Sequence, residues 1–338
     1  MGNGESALHE SPDSEKEHLP PVSIVIPCLN RGRYLPGTID SILKQDYPDI
    51  ECIVIDGGST DDTVEILKGY GDRIIWVSEP DDGHADAINK GWWRSRGDIL
   101  AWLNADDRYV VPDAVSTAVR YFIDNPGVDV VYGDYRGISD DGEITSDVIK
   151  AREWDMTYAV KYCTPIITQP TSFMRRAILE KVGWVDPKCH GMDSDLWLRI
   201  GLAGTIRYFP FQFCYVRRGR GMSQEFCMSE SKVRLTEKFF STPDIPEPFN
   251  KPSFRRRAMS NANLTAAIVH WNSTRSIGQT LRYLFRAVGE DPLNSLYIGY
   301  VFPLYMLFYH MPLAWQEKIR GRHWYGIHGV SGGPKSGS

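Results

Sequence analysis

Several large protein classes are excluded by what this chain lacks. Its 338 residues hold six cysteines, and none of them forms a C-x-x-C pair. That scatter gives no zinc site and no disulfide framework, and it fits free thiols in a reducing compartment. A basic excess is missing too. The 38 Lys and Arg stand against 43 Asp and Glu, a formal charge of -5, and the pI is near 5.9. Such a balance argues against nucleic acid as a partner. No sequence repeat is long enough for a solenoid. No secretory signal is found at the start, so a cytoplasmic location is expected. Residues 1–20, rich in Glu, Ser, His and Pro, and the Gly- and Ser-rich residues 329–338 are expected to be disordered tails.

What the chain does have is a repeated unit. The apolar run Val22-Ser23-Ile24-Val25-Ile26-Pro27 is followed by Leu35, Ile39, Ile42 and Leu43 at helical spacing. A second run, Ile50 to Ile55, stops at Asp56-Gly57-Gly58-Ser59-Thr60-Asp61. The glycines there permit a tight turn, and Ser59 or Thr60 can cap the helix that continues through Leu67. A third run, Ile74 to Val77, leads to Glu79-Pro80-Asp81-Asp82-Gly83 and a helix through Trp93. The fourth, Ile99 to Leu103, ends on Asn104-Ala105-Asp106-Asp107. This alternation predicts right-handed crossovers and a mostly parallel open sheet whose strand ends share one edge. Ligands bind at that edge in open α/β sheets. Adjacent carboxylates held in a cleft need a cation to offset their repulsion, although Asp pairs also populate ordinary surface turns.

In order and spacing, Val22 to Pro27, Asp56 to Asp61, Glu79 to Gly83, Asp86 to Gly91 and Leu103 to Asp107 resemble the motifs of the family 2 inverting glycosyltransferases over roughly residues 20–225. The resemblance implies a GT-A fold and a nucleotide-diphosphate sugar as donor, with a UDP-sugar favoured. By position, Pro27 and Asn30 would border the base, Asp56 would accept a base N–H, and Asp81 would lie near base or ribose. A carboxylate only accepts hydrogen bonds, so it can read the imide of uracil or thymine. The lesser alternative for Asp56 is a helix N-cap or turn residue. Asp86 and Asn89 share one helical face and would either meet the donor or pair with Lys90 and Arg94. Asp106 would take the ribose or donor sugar, and Asp107, with Asp106, the divalent cation, Mn or Mg. Asn104 stands where many relatives carry the first Asp of a D-x-D motif. Its neutral amide implies an ion that binds weakly without nucleotide.

The second half would supply the acceptor side. Val128 to Tyr135 and Ile144 to Ile149 are expected as strands joined by the turn Ser139-Asp140-Asp141-Gly142. Ile167 to Arg176 resembles the family strand that lines the acceptor pocket. Gln169 is its candidate contact, or else a buried amide satisfied by backbone. In Met192-Asp193-Ser194-Asp195, the resemblance makes Asp193 the general base, with Asp195 as understudy and Met192 in the usual Glu position. Many relatives carry a His shortly after a Tyr-Arg pair, and here Tyr215 to Ser223 contains none. Arg217 and Arg218 could instead clamp the diphosphate, or form a solvated basic loop.

Residues 21–225 thus form the expected glycosyltransferase domain, divided into a nucleotide-sugar half, 21–110, and an acceptor half, 111–225. A C-terminal helical region, 226–328, follows. It is expected to hold helices over Ser229–Ser241, Ala262–Trp271 and Ile277–Val288, with a stiff proline-rich connector over 242–252. Residues 296–315 are the most apolar stretch. Four tyrosines and two prolines there, followed by Lys318, Arg320 and Arg322, suit an interfacial helix and peripheral membrane contact through 296–323 at the inner face. A buried or spanning helix is the alternative. The expected function is metal-dependent transfer of a sugar to a hydroxyl of a glycan or lipid-linked glycan. The alternatives are transfer to polyprenyl phosphate, and nucleotide-sugar binding without turnover.

Overall fold

The structure is a computed structural model and describes residues 19–162, 166–189, 191–217 and 225–294. Eight strands form one sheet in the order β3-β2-β1-β4-β7-β6-β8-β5. The first four are β1 (Val22–Cys28), β2 (Ile50–Asp56), β3 (Ile75–Ser78) and β4 (Ile99–Trp102), all parallel. Cys28 pairs with Asp56, and Asp56 with Ser78. In-register carboxyl ends bring the loops that follow them to one edge. The remaining strands are β5 (Arg108–Tyr109), β6 (Val130–Ile138), β7 (Phe173–Arg175) and β8 (Ile206–Arg217). β7 runs antiparallel between β4 and β6, and β5 runs antiparallel to β8. The expected mostly parallel open sheet is present.

Helices cover both faces: α1 (Leu35–Leu43), α2 (Thr63–Tyr70), α3 (His84–Arg94), α4 (Ala114–Asp124), α5 (Met156–Tyr162), α6 (Arg176–Val182) and α7 (Met192–Ala203). Every residue of β1 is buried, as a parallel strand sandwiched between helical layers requires. Val22, Ile24 and Ile26 join the core under α1 and α4, while Val25 joins the core under α3, α6 and α7. Trp92, Trp102 and Trp197 fill that second core, with the Trp102 and Trp197 rings stacked 5.9 Å apart. α3 lies close to β1. A Cβ on Gly91 would come within 2.4 Å of Val25, so this approach requires glycine.

α8 (Glu225–Phe240), α9 (Pro252–Thr274) and α10 (Ile277–Glu290) form the C-terminal appendage. α9 starts ten residues before the expected Ala262, because Pro252 is preorganised for a first helical position rather than for the connector. Two further expectations are corrected. Residues 144–149 make only isolated bridges, Ile138 with Ile144 and Tyr135 with Ile149, although the 139–142 turn forms and Gly142 has a φ of 86°. Ile144 is exposed, so no buried face fixes a strand register there. The stretch 167–176 opens as a 3-10 turn over Gln169–Thr171 before β7, since Pro170 has no N–H for a ladder.

α7 is locked to its surroundings by Asp195. Its side chain is 5% exposed and pairs with Arg199 at 2.9 Å and with Lys238 of α8 at 2.8 Å. Arg199 also donates to the carbonyls of Val182, Gly183 and Trp184. Both Asp195 oxygens are therefore committed to holding the helix. Breaking a buried pair from one side costs roughly 3–5 kcal/mol. Because Lys238 is 40% exposed, Asp195→Asn should cost less, about 2 kcal/mol. Urea unfolding would show this as a lowered midpoint, and an unmoved midpoint would contradict the lock.

Candidate active site

The loops after β1 and β2 are built around each other. Asn30 has a φ of 52°, a left-handed conformation that Asn tolerates. Its N–H donates to Ser59 Oγ at 2.7 Å and its Oδ1 accepts from the Thr60 N–H at 2.8 Å. Pro27 is buried inside β1 opposite Ile55. Asp56 has no exposed surface. Its carboxylate accepts the Ser59 N–H at 3.0 Å, the Ser78 hydroxyl at 2.7 Å and the Ser59 hydroxyl. Three donors on a fully covered carboxylate describe turn scaffolding, the second of the two readings its sequence allowed. Ser59 is turned back to Asp56 in this way, and α2 starts after Asp62 with no side-chain cap.

Asp81 differs. It is half-buried, and its Oδ1 accepts the Gly83 N–H at 2.9 Å. Its Oδ2 lies 2.6 Å from where a Cβ on Gly57 would stand. The bare glycine at the end of β2 makes room for a carboxylate delivered from the end of β3. Asp86 pairs with Lys90 at 3.1 Å and accepts the Asp82 N–H, so it stays within its own turn. Asn89 is buried, with its amide donating to the Val185 carbonyl at 2.8 Å and accepting the Val185 N–H at 3.1 Å. That backbone bridge leaves no free polar atom pair to face a donor.

The β4 loop carries the acidic pair. Asp107 is 3% exposed. Its Oδ2 accepts from the Asn104 amide at 2.9 Å and its Oδ1 from the Arg217 N–H at 2.9 Å. Burial, and then the neighbouring Asp106 charge, push its carboxyl up to about 7. Asp106 is half-buried, and among the described residues no donor reaches its carboxylate. Thr38 of α1 sits within hydrogen-bond distance of the Ala105 and Asp107 carbonyls, at 2.9 and 2.7 Å. The expected Arg217 clamp meets a guanidinium that already donates to the Asp106 and Ser139 carbonyls and lies over the Tyr34 ring. Arg218 lies outside the described residues.

His84 was missed by sequence reasoning. It opens α3 directly after Gly83 and hydrogen-bonds Asn104. Burial pushes its imidazole down to about 4, so the ring is neutral at pH 7. Its only sequence signal was a position at a helix start beside the third motif. Among the described residues, no group of three His, Cys, Asp or Glu side chains converges on a common metal position.

On the acceptor side, Gln169 is buried and donates to the Trp102 carbonyl at 2.7 Å, the backbone-satisfied alternative. Asp193 is half-buried in the first turn of α7, with Oδ1 accepting the Ser194 N–H at 2.7 Å. Trp197, one turn on, stacks on Trp102 of β4. α7 is thereby packed on the strand that leads to Asp106 and Asp107. An apolar hollow lined by Trp154, Ile166, Trp197, Leu235 and Phe239 reaches Ser194.

Residues 23–183 match the family model described as Glycosyl transferase family 2. The chondroitin synthase of Pasteurella multocida strain Pm70 is 30% identical over 209 residues, 61% of this chain and 21% of that protein. A PGL/p-HBAD biosynthesis glycosyltransferase of Mycobacterium bovis strain BCG is 37% identical over 119 residues, 34% of this chain and 46% of that one. The match therefore spans less than half the length of either relative. The crystal structure of S. aureus TarS 1–349 is similar at a TM-score of 0.60 and 15% identity, covering 80% of this chain and 81% of that one. The mannosyltransferase PcManGT from Pyrobaculum calidifontis, in complex with GDP-Man and Mn2+, gives 0.57 at 20% identity, covering 85% and 81%. The fold is GT-A, a mixed α/β architecture with a mostly parallel sheet flanked by helices. Residues 23–183 thus form a domain of glycosyltransferase family 2.

Proposed function

We propose that this chain is an inverting glycosyltransferase that moves a sugar from a nucleoside-diphosphate donor, a UDP-sugar by preference, to a hydroxyl of a glycan or lipid-linked glycan. The observation that carries the reading is the brace on Asp107, from Asn104 and from the Arg217 backbone, beside an Asp106 carboxylate that meets no donor among the described residues at the carboxyl rim of β4. Asp106 and Asp107 offer hard oxygen donors that fit Mn or Mg. Bound there, the ion would offset the charge that grows on the departing diphosphate. With two such side chains among the described residues, the ion would rely on diphosphate oxygens and water as well.

Asp56 is committed to its turn, so Asp81 takes over the base. Its Oδ2 faces the open side of Gly57 and can accept an imide N–H. Asp193 is the general base. The Ser194 N–H holds one of its oxygens, and the other, which meets no donor among the described residues, would take the acceptor. The acceptor hydroxyl attacks the anomeric carbon, its proton passes to Asp193, and the bond to the diphosphate breaks with its electron pair. Asp195 serves as a positioning residue through its two ion pairs. The apolar hollow beside Ser194 favours an acceptor with a lipid part, which would work at the cytoplasmic face of a membrane. No helix among the described residues is long and apolar enough to cross a membrane. Residues 296–323, the expected contact, lie outside the described residues.

Asp193→Asn should lower turnover roughly 10²–10⁴-fold, with UDP affinity by calorimetry unchanged. Undiminished turnover would instead favour an acceptor that is already anionic, such as polyprenyl phosphate. A wild type that neither transfers nor hydrolyses any donor would favour a binding protein. Asp81→Ala should weaken UDP binding by roughly tenfold or more, and Gly57→Asp with Asp81→Gly should recover part of it. Equal UDP affinity in all three proteins would refute the assignment of Asp81.

A further inference from the structure

α10 buries Thr280, Tyr283 and Ala287 against its neighbour α9. Its outward side is not polar, as a solvated helix face would be. Ile277, Leu281, Phe285 and Val288 are all exposed, and Leu293, just beyond the helix, is 76% exposed. Positions 277, 281, 285 and 288 follow the i, i+4, i+8, i+11 spacing that forms one stripe along a helix. Phe285, at the centre, is 73% exposed. A lone exposed apolar residue means nothing, but a contiguous stripe of this kind marks a surface that meets another phase or partner.

The charges beside the stripe choose the partner. Arg282 and Arg286 flank it on α10, Arg275 stands at its start, and all three are exposed. Arg255 and Arg256, also exposed, lie on the first turn of α9. That turn packs against the end of α10, where Arg257 pairs with Asp291 at 3.0 Å. The basic face runs against a chain whose formal charge is -5. Directly after Asn294, the sequence enters the aromatic stretch 296–315 and then Lys318, Arg320 and Arg322. An apolar stripe edged by guanidinium groups matches the acyl boundary and phosphate layer of an anionic bilayer. We propose that the exposed face of α10 is a docking surface for anionic lipid, on which the helix lies in the plane of the membrane.

The test is co-sedimentation of the full chain with vesicles of phosphatidylcholine alone or mixed with phosphatidylglycerol. The wild type should partition to the anionic vesicles and hardly to the neutral ones. Arg282→Glu with Arg286→Glu should reduce that partition by roughly tenfold or more, given about fivefold per basic residue near the surface. Leu281→Gln with Phe285→Gln should reduce it similarly without disturbing folding, because both side chains are exposed. UDP binding should be unchanged in every variant, so failure here leaves the transferase reading standing. Wild-type partition by both variants would overturn the proposal, leaving any lipid contact to residues beyond 294. A dimer in light scattering that Leu281→Gln with Phe285→Gln dissolves, with no vesicle binding, would assign the stripe to a second copy. Strong amide-exchange protection lost on truncation after Asn294, again with no vesicle binding, would assign it to the chain's own apolar segment.

Discussion

A buried carboxylate at the end of β4 holds the candidate site together. Asp107 gives one oxygen to the Asn104 amide and the other to the Arg217 backbone. These bonds tie the rim of the parallel half of the sheet to the end of β8. Burying a charge is costly unless it is hydrogen-bonded, and here the charge is opposed by a second carboxylate one residue away. The result is an acid whose proton affinity lies near neutrality. A divalent cation beside it favours the ionised form. The site thus stores an electrostatic deficit that a cation and diphosphate arriving together would relieve.

The apolar interior gives that rim its stiffness. Trp102 lies within the last strand before the acidic loop, stacked on Trp197 of α7 and met edge-on by Trp92 of α3. Three large rings in one close-packed cluster transmit position from strand to helix with little slack. α7 is fixed a second time through Asp195, Arg199 and Lys238. Asp193 therefore projects from a helix constrained on two sides, which suits a group that must meet a proton at a defined distance.

The alternation of short apolar runs with helical spacing was enough to read β1 to β4 as parallel strands ending at one edge, because a parallel strand between helical layers must be apolar on both faces. The acidic motif was legible for a similar reason: its residues are adjacent in sequence and their chemistry is local. Three readings were not local and were hidden. Asp56 reads as a ligand contact until Ser78, from the next strand, is seen to close over it. Asn89 and Gln169 read as donor and acceptor contacts until the distant backbone groups of Val185 and Trp102 are seen to occupy them. Gly57 carries no chemistry of its own, so the space it gives to Asp81 exists only in three dimensions. The 144–149 segment carries the β-branched Ile144, Thr145, Val148 and Ile149 of a strand, yet little of it has a core to face.

On the proposed reading, the acidic rim, Asp81 and the exposed face of α10 belong to an enzyme that works between a nucleotide-sugar donor and an acceptor held at an interface. A cation that protein and diphosphate would share is the centre of that proposal. Thermal unfolding with Mn2+ alone, UDP alone and both together addresses it most directly, because a ligand that binds only the folded state raises its stability. The account predicts little shift with Mn2+ alone, a shift with both that exceeds the sum of the two, and loss of that excess in Asp106→Asn. An equal shift with Mn2+ whether or not UDP is present, or an Asp106→Asn protein that keeps the full excess, would contradict it.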